Sequence, residues 1–233
     1  MTTITQQTEV HEVKPATHTV NFGLHHYVAK LTQGLGTIFF RILFYTFFDI
    51  DIRGKENIAK EKGPLIIVSN HVVFYDSFIF HLFFSPLAPL LPLRFLGVTR
   101  FLHSGLNLLG RMGIIDLVYL LFGVSVVTQG MGLEKNLKNP IKILQRGGTV
   151  TIFPAGRMRP DNTLGEFKRG AAALALMTEV PIIPVALKRY KQKGKRTRFV
   201  ISVGNKFNVN AANSYDENTD LIRNQLKSLH DLI

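Results

Sequence analysis

The sequence predicts an α/β protein, a single domain with a mostly parallel central sheet flanked by helices. Apolar runs of strand length alternate with longer segments of helical periodicity, an order typical of parallel sheets. Residues 64–68 (PLIIV) are apolar throughout, as expected of a strand that is covered on both faces. The chain has 233 residues, 46% of them apolar, which is enough for one full core.

The N-terminal region divides into two parts. Residues 1–20 are polar and contain no apolar signal segment, so we expect a flexible tail. Residues 21–50 hold an apolar block of about the length of a membrane span. Arg41 lies in this block, and a charge at the bilayer centre is costly, so a membrane-docking helix in the interface is favoured. A spanning helix and a buried core helix are the alternatives.

Residues 51–211 are expected to form the main domain, and residues 212–233 a C-terminal helix packed on it. The expected strands are the start of DIRGKENIAKEKGP (from residue 51) and residues 64–68, 123–127, 149–153, 181–187 and 198–203. The expected helices are residues 132–148, with a glycine stop, 165–180 and 219–233. Residues 77–122 are apolar and interrupted by prolines and glycines, and we expect helices there that cover the sheet or touch lipid.

Composition narrows the classes of partner and of site. The absence of cysteine excludes disulfides, cysteine nucleophiles and thiolate metal sites, and the eight histidines show no convincing metal spacing. The net charge of +12 favours anionic partners. Eighteen phenylalanines, many of them clustered, favour a membrane surface over nucleic acid. The basic stretch at residues 188–198 has one aromatic residue, too few for a base-stacking platform.

The segment Asn70-His71-x-x-x-x-Asp76 follows the apolar run PLIIV directly. Ligands of open α/β sheets bind beyond the carboxyl ends of the strands, so this is a favourable position for chemistry. A neutral imidazole can take a proton from a hydroxyl, and a carboxylate on its other nitrogen fixes the tautomer. No serine lies in a G-x-S-x-G motif, so the hydroxyl would belong to a substrate. Short His/Asp spacings also occur by chance.

Three further motifs follow in order: IFPAGRMRP (152–160), FKRGAAALA (167–175) and VPIIPVAL (180–187). With them the chain resembles the PlsC-type glycerophospholipid acyltransferases, which have N-H-x-x-x-x-D, G-x-x-x-x-x-R, F-P-E-G-T-R-S and V-P-I-x-P-V motifs. GKENI (54–58) matches the lead-in of that family. The resemblance covers residues 51–205, and four motifs in order are far more specific than any single one.

The resemblance implies that His71 is the general base and that Asp76 orients it. His71 would deprotonate the hydroxyl of a lysophospholipid, 1-acylglycerol-3-phosphate, for attack on acyl-CoA or acyl-carrier protein. No metal or bound cofactor is implied. The enzyme would serve phospholipid biosynthesis or remodelling, bound to anionic bilayer lipids on the cytoplasmic face as a monotopic protein.

The chain departs from the family pattern in the motifs that bind the acceptor. Gln129 stands where the family has arginine, and Ala155 where it has glutamate. Arg157 and Arg159 can supply the missing charge, because a guanidinium suits phosphate; surface arginines are the alternative. The residues expected to bind substrate are Asn70, Gly156, Arg157, Arg159, Gln129 and Lys168.

Several alternatives stay open at this level. The acceptor can be a lipid hydroxyl without phosphate, as in an aminoacyl lipid or a glycolipid, or the protein can be a non-catalytic lipid binder. The phenylalanine-rich segments 78–84 and 95–102 are candidates for an acyl tunnel or a lipid-facing surface. The basic stretch at residues 188–198 is expected to be a solvated turn, or to contact anionic lipid or an acidic carrier protein.

Overall fold

A computed structural model describes residues 23–98, 122–127 and 132–233. Its strands are β1 (Asp49–Arg53), β2 (Leu65–Ser69), β3 (Leu93–Val98), β4 (Ser125–Val127), β5 (Thr149–Ile152), β6 (Ile182–Tyr190) and β7 (Arg198–Val203). Its helices are α1 (Leu24–Phe47), α2 (Glu56–Ala59), α3 (Asp76–Ile79), α4 (Gly132–Gln145), α5 (Gly170–Thr178) and α6 (Tyr215–Asp231). A 3-10 helix (Phe80–Phe83) continues α3.

The described strands form one sheet in the order β1-β7-β6-β2-β5-β3-β4. Every neighbouring pair is parallel except β6 and β7, which a short hairpin joins. The prediction of an α/β domain with a mostly parallel sheet is confirmed. The strands β2, β3, β4, β5 and β6 all end at one edge of the sheet, which we call the carboxyl edge.

One expectation from the sequence is wrong. Strand β3 lies within residues 77–122, for which only helices were expected. This region is apolar throughout, so no change of periodicity marks the strand, and short apolar runs do not separate strand from helix. Leu93 and Phe95 are buried on one face of β3 and Arg94 is buried on the other. Strand β6 also continues past residue 187, because Lys188–Tyr190 pair with β7.

The two faces of the sheet are covered by different layers. The aromatic layer consists of α1, α3 and the 3-10 helix, and its core is rich in phenylalanine. The aliphatic layer consists of α4, α5 and α6, and its core is built from alanine, valine, leucine and isoleucine. Successive side chains of a strand point to opposite faces, so each strand contributes to both cores.

Helix α1 packs on the sheet through one side only. The amide of Gln33 is buried, donates to the carbonyls of Leu93 and Phe122, each at 2.8 Å, and accepts from the Leu93 N–H at 2.7 Å. The outer side of α1 exposes large apolar side chains: Leu24, Tyr27, Val28, Leu31, Leu35, Ile38, Phe39, Ile42, Tyr45 and Phe47. Among the described residues, no helix is long and apolar enough to cross a bilayer. The docking role of residues 21–50 stays a prediction, and residues 1–20 lie outside the described part.

Candidate active site

His71 and Asp76 meet at the carboxyl edge, in the turn between β2 and α3. The Nδ1 atom of His71 lies 2.9 Å from Oδ2 of Asp76. The same oxygen accepts hydrogen bonds from the backbone N–H groups of Val72, at 2.5 Å, and Val73, at 2.9 Å. Both donors lie in the turn before α3, whose first residue is Asp76. The turn therefore closes on Asp76 and brings it back to the histidine.

This geometry sets the chemistry of the imidazole. A carboxylate only accepts hydrogen bonds, so Nδ1 of His71 carries the hydrogen and Nε2 keeps a free lone pair. The Asp76 side chain is fully buried, whereas that of His71 is 20% exposed. The pair is thus an imidazole that can accept a proton at Nε2, with a buried carboxylate that stabilises the resulting charge.

The ring of Phe153 packs against one face of the His71 imidazole. The two rings are stacked, with centroids 4.3 Å apart and planes inclined by 18°. Phe80 and Phe95 in turn pack around Phe153. Sequence reasoning missed this residue, although it is the phenylalanine of the FPAG motif. The stack leaves the ring of His71 little freedom to turn away from Asp76.

Asn70 has a different place from the predicted one. Its side-chain Nδ2 donates to the carbonyl of Leu187, and its Oδ1 accepts from the Leu187 N–H, each at 2.8 Å. The residue is 1% exposed. Strand β2 ends at Ser69, whereas β6 continues beyond it. The side-chain amide of Asn70 therefore makes the hydrogen bonds to Leu187 that the backbone of a longer β2 would make. Asn70 thus anchors the backbone next to His71, and its side-chain amide is engaged within the protein.

The loop between β5 and α5 (residues 153–169), here the site loop, is tied by three hydrogen bonds to the ends of β2 and β6. Its Arg159 N–H donates to the carbonyl of His71 at 2.7 Å. Asn162 exchanges two hydrogen bonds with the backbone of Arg189, at 3.0 and 2.9 Å. Asn162 has φ +62°, a conformation that asparagine tolerates well. Its role was not predicted, although the Asp161-Asn162 pair is a turn signal.

Several predicted substrate-binding cations lie on the site loop. Arg157 and Lys168 are exposed, and Arg159 is half-buried. The Nε atom of Arg159 is buried without a hydrogen-bond partner among the described residues. Gly156 has φ +63°, and a Cβ there would lie 3.2 Å from Nζ of Lys168. The loop therefore brings Gly156 and Lys168 together and fixes the backbone of Arg159 against His71, whereas Gln129 lies outside the described residues.

Arg189 is a further cation that was not predicted. It is half-buried on β6 and lies near the phenol of Tyr75, the neighbour of Asp76. Burial raises the pKa of Tyr75, and the positive charge of Arg189 opposes that rise. The site thus receives positive charge from two elements. In the described part of the chain, no three His, Asp or Glu side chains are grouped to hold a metal ion.

Comparison with known proteins identifies the family. Residues 49–188, more than half of the chain, match the family model described as Acyltransferase. The chain belongs to this acyltransferase family. The prediction from the four motifs is confirmed.

Named relatives agree with this assignment. The chain is 30% identical over 172 residues to the chloroplastic 1-acyl-sn-glycerol-3-phosphate acyltransferase BAT2 of Brassica napus, which covers 70% of this chain and 42% of that protein. It is 31% identical over 136 residues to the 1-acyl-sn-glycerol-3-phosphate acyltransferase of Pseudomonas aeruginosa, covering 58% of this chain and 48% of that one. The chain thus spans less than half the length of these relatives.

A solved structure supports the fold. The crystal structure of the 1-acyl-sn-glycerophosphate (LPA) acyltransferase PlsC from Thermotoga maritima matches with a TM-score of 0.61. The match covers 89% of this chain and 81% of that one at 21% identity.

Proposed function

We propose that this protein is an O-acyltransferase that moves a fatty acyl group from acyl-CoA or acyl-carrier protein to the hydroxyl of 1-acylglycerol-3-phosphate. The observation that carries the proposal is the 2.9 Å contact between His71 and the buried Asp76 at the carboxyl edge. The family match and the names of the relatives support acyl transfer to this acceptor.

The reaction follows from the protonation state of the pair. Nε2 of His71 takes the proton of the acceptor hydroxyl while its oxygen attacks the thioester carbonyl carbon. Asp76 stabilises the imidazolium that forms. The carbon–sulfur bond then breaks, the acyl group stays on the acceptor oxygen, and the departing thiolate takes the proton back from His71. Neither a metal nor a redox cofactor is required by these steps.

The cations of the site loop bind the acceptor phosphate. Arg157 can offer a guanidinium fork, which suits phosphate oxygens better than an amide does. Arg159 and Lys168 add charge, and the bare backbone of Gly156 allows close approach of a ligand. These groups supply the positive charge that the family's arginine supplies and that the neutral Gln129 lacks. Asn70 acts as a positioning residue, since its amide is bonded to Leu187.

The membrane is the place of reaction in this proposal. Helix α1 exposes an apolar side that runs along its length, and the chain has a net charge of +12. An apolar helix face with basic surroundings suits the interface of an anionic bilayer. We place the protein as a monotopic enzyme on the cytoplasmic face, serving phospholipid synthesis or remodelling.

A second candidate has the same chemistry and an acceptor without phosphate. It is favoured by Ala155, whose methyl group accepts no hydrogen bond, and by the neutral Gln129. In this candidate the acceptor is an aminoacyl lipid or a glycolipid. A lipid-binding protein without turnover is a third candidate, but a pure binder needs neither His71 nor Asp76.

The test is transfer of a labelled acyl group from acyl-CoA and from acyl-carrier protein. The acceptors are 1-acylglycerol-3-phosphate, neutral lysophospholipids and lipid alcohols without phosphate. We expect transfer to the phosphate acceptor, a loss of about 10³-fold in His71→Ala, and wild-type rates in Glu134→Gln, which changes an exposed side chain of α4. Arg157→Ala should raise KM for the phosphate acceptor and leave kcat nearly unchanged.

Three other outcomes would change the conclusion about the acceptor, the base or the activity. Transfer only to acceptors without phosphate supports the second candidate. Full activity of His71→Ala would contradict the proposed base. No transfer to any acceptor, from protein that still binds vesicles, would point to the lipid binder.

A further inference from the structure

We propose that the hairpin of β6 and β7, residues 188–198, binds the anionic headgroups of the bilayer on which α1 lies. We call this segment the basic hairpin. The inference rests on the proposed membrane-associated function. It assigns the binding of anionic lipid headgroups to one element of the fold. Three observations carry it: the place of the hairpin, its unpaired cations and its contact with α1.

The basic hairpin projects beyond the carboxyl edge. Ser69, the last residue of β2, pairs with Val185 of β6. Strand β6 continues to Tyr190, five residues further, which is about 16 Å at the rise of a β-strand. His71 follows Ser69 by two residues. The hairpin therefore extends past the edge of the sheet that carries the catalytic pair.

The charge at the tip of the hairpin is not neutralised by side chains in the described part of the protein. Seven of its eleven residues are basic and none is acidic. Arg198 pairs with Asp49 and Asp51. Lys191, Lys193 and Lys195 are exposed, and none of the three has an ion pair or side-chain hydrogen bond to a described residue. The hairpin tip thus presents three free ammonium groups to its surroundings.

Arg196 connects the hairpin to α1. Its Nη2 atom donates to the carbonyl of Tyr45 at 2.6 Å and to that of Phe48 at 2.7 Å. These are terminal carbonyls of α1, whose last turn has no basic residue of its own, and a cation is favourable there. The apolar outer side of α1 ends at the exposed side chains of Tyr45 and Phe47. Apolar surface and free cations therefore adjoin each other.

This combination fits a bilayer better than an acidic carrier protein. The exposed apolar side chains extend along the whole of α1, a helix of 24 residues, which is about 36 Å long. A row of apolar side chains of this length can lie along a planar membrane interface. Lysines next to such a helix are attracted to an anionic surface that lies within about 10 Å of them. Acidic carrier protein is the competing partner that the test must separate.

The test measures binding to vesicles of phosphatidylcholine with and without phosphatidylglycerol. The variant is Lys191→Glu/Lys193→Glu/Lys195→Glu, and the matched control is Lys135→Glu/Lys138→Glu/Lys142→Glu. The control makes the same charge change at exposed lysines of α4 on the other face of the sheet. We expect the hairpin variant to lose at least about tenfold in affinity for anionic vesicles. The control should lose less than about threefold, and binding to neutral vesicles should be equal in all three proteins.

Three outcomes would overturn the proposal. They are unchanged affinity of the hairpin variant, equal losses in both triple variants, and intact vesicle binding with selective loss of transfer from acyl-carrier protein. Circular dichroism checks the fold, and Lys191→Gln/Lys193→Gln/Lys195→Gln repeats the test with a milder change. Transfer from acyl-CoA to a detergent-dispersed acceptor is measured separately. Its absence in the wild type would contradict the proposed function without affecting the vesicle result.

Discussion

The two layers that cover the sheet differ in their cores and in their outer surfaces. The aromatic layer packs phenylalanine rings under α1 and leaves the outside of that helix apolar. In the aliphatic layer, small and branched side chains form the core, and α4 exposes Glu134, Lys135, Lys138 and Lys142. The proposed catalytic pair, His71 and Asp76, lies on the aromatic side, next to Phe153. The proposed chemistry and the exposed apolar side of α1 therefore share one side of the sheet, whereas α4 on the other side exposes charged residues.

The strongest contrast between the layers is expected in activity. Asp76→Asn keeps the shape of the side chain but removes the charge that stabilises the imidazolium, so kcat should fall by about 10³-fold. The matched change on the aliphatic side, Asp231→Asn, removes the partner of the exposed Lys227 and should leave kcat within about twofold. Steady-state kinetics of both variants, with thermal unfolding as a check of the fold, measures the contrast. Comparable losses in both would mean that the pair has no special role.

Substitutions that create a cavity in either core should lower the free energy of unfolding by similar amounts. They should differ in their effect on kcat. Phe80 and Leu174 are fully buried in the aromatic and the aliphatic core, respectively. Phe80→Ala should lower the free energy of unfolding by about 3–5 kcal/mol and Leu174→Ala by about 2–5 kcal/mol. Only Phe80→Ala should also lower kcat of the folded protein, because Phe80 packs on Phe153 below His71. Urea unfolding and kcat per folded molecule test this, and an equal fall of kcat in both variants would contradict it.

A buried histidine makes the aromatic layer sensitive to acid. His81 is fully buried beside Phe40 and Phe122, and burial lowers its pKa to about 4. The unfolded chain binds the proton near pH 6.5, so stability is fully present above that pH and is lost as the pH falls toward 4. The loss should reach about 3 kcal/mol.

His81→Phe isolates this effect. The variant should lose the part of the pH dependence of unfolding between about pH 6.5 and 4 that His81 contributes. His230→Phe is the counterpart in the aliphatic layer, where burial and the charge of Lys188 lower the pKa of His230. Urea unfolding at a series of pH values compares the two. An unchanged pH profile in His81→Phe would show that other groups carry the acid sensitivity.

The smallest expected effect is a pure stability change in the aliphatic layer. Ser214 and Glu217 form a capping box at the start of α6, with hydrogen bonds of 3.2 and 2.7 Å. Ser214→Ala should cost about 1 kcal/mol. Activity of the folded protein should stay unchanged, because the start of this helix lies on the side of the sheet away from His71 and Asp76. Thermal unfolding and kcat together check the prediction, and a clear fall in kcat would link the aliphatic layer to the site.

Local patterns predicted much of this molecule. Strand β2, the fold class and the pair of His71 and Asp76 could be predicted from the sequence. Their signals are the run PLIIV, the alternation of strands and helices, and the short spacing of His71 and Asp76, all of which depend on neighbours in sequence. Arg159 and His71 are 88 positions apart, and their backbone hydrogen bond has no local signal. The same holds for Asn70 and Leu187. Such contacts depend on strand order, which one sequence does not encode in any single window.

The most direct test of the claim that the catalytic side faces the bilayer uses the absence of tryptophan from the chain. Phe74, in the turn between His71 and Asp76, is 73% exposed, and Phe74→Trp places a single tryptophan beside the site. With vesicles that contain brominated lipid, we predict a blue shift and strong quenching for Phe74→Trp, and neither for Tyr215→Trp at the start of α6. A tryptophan at position 74 that stays in water while the protein is bound to vesicles would contradict the claim.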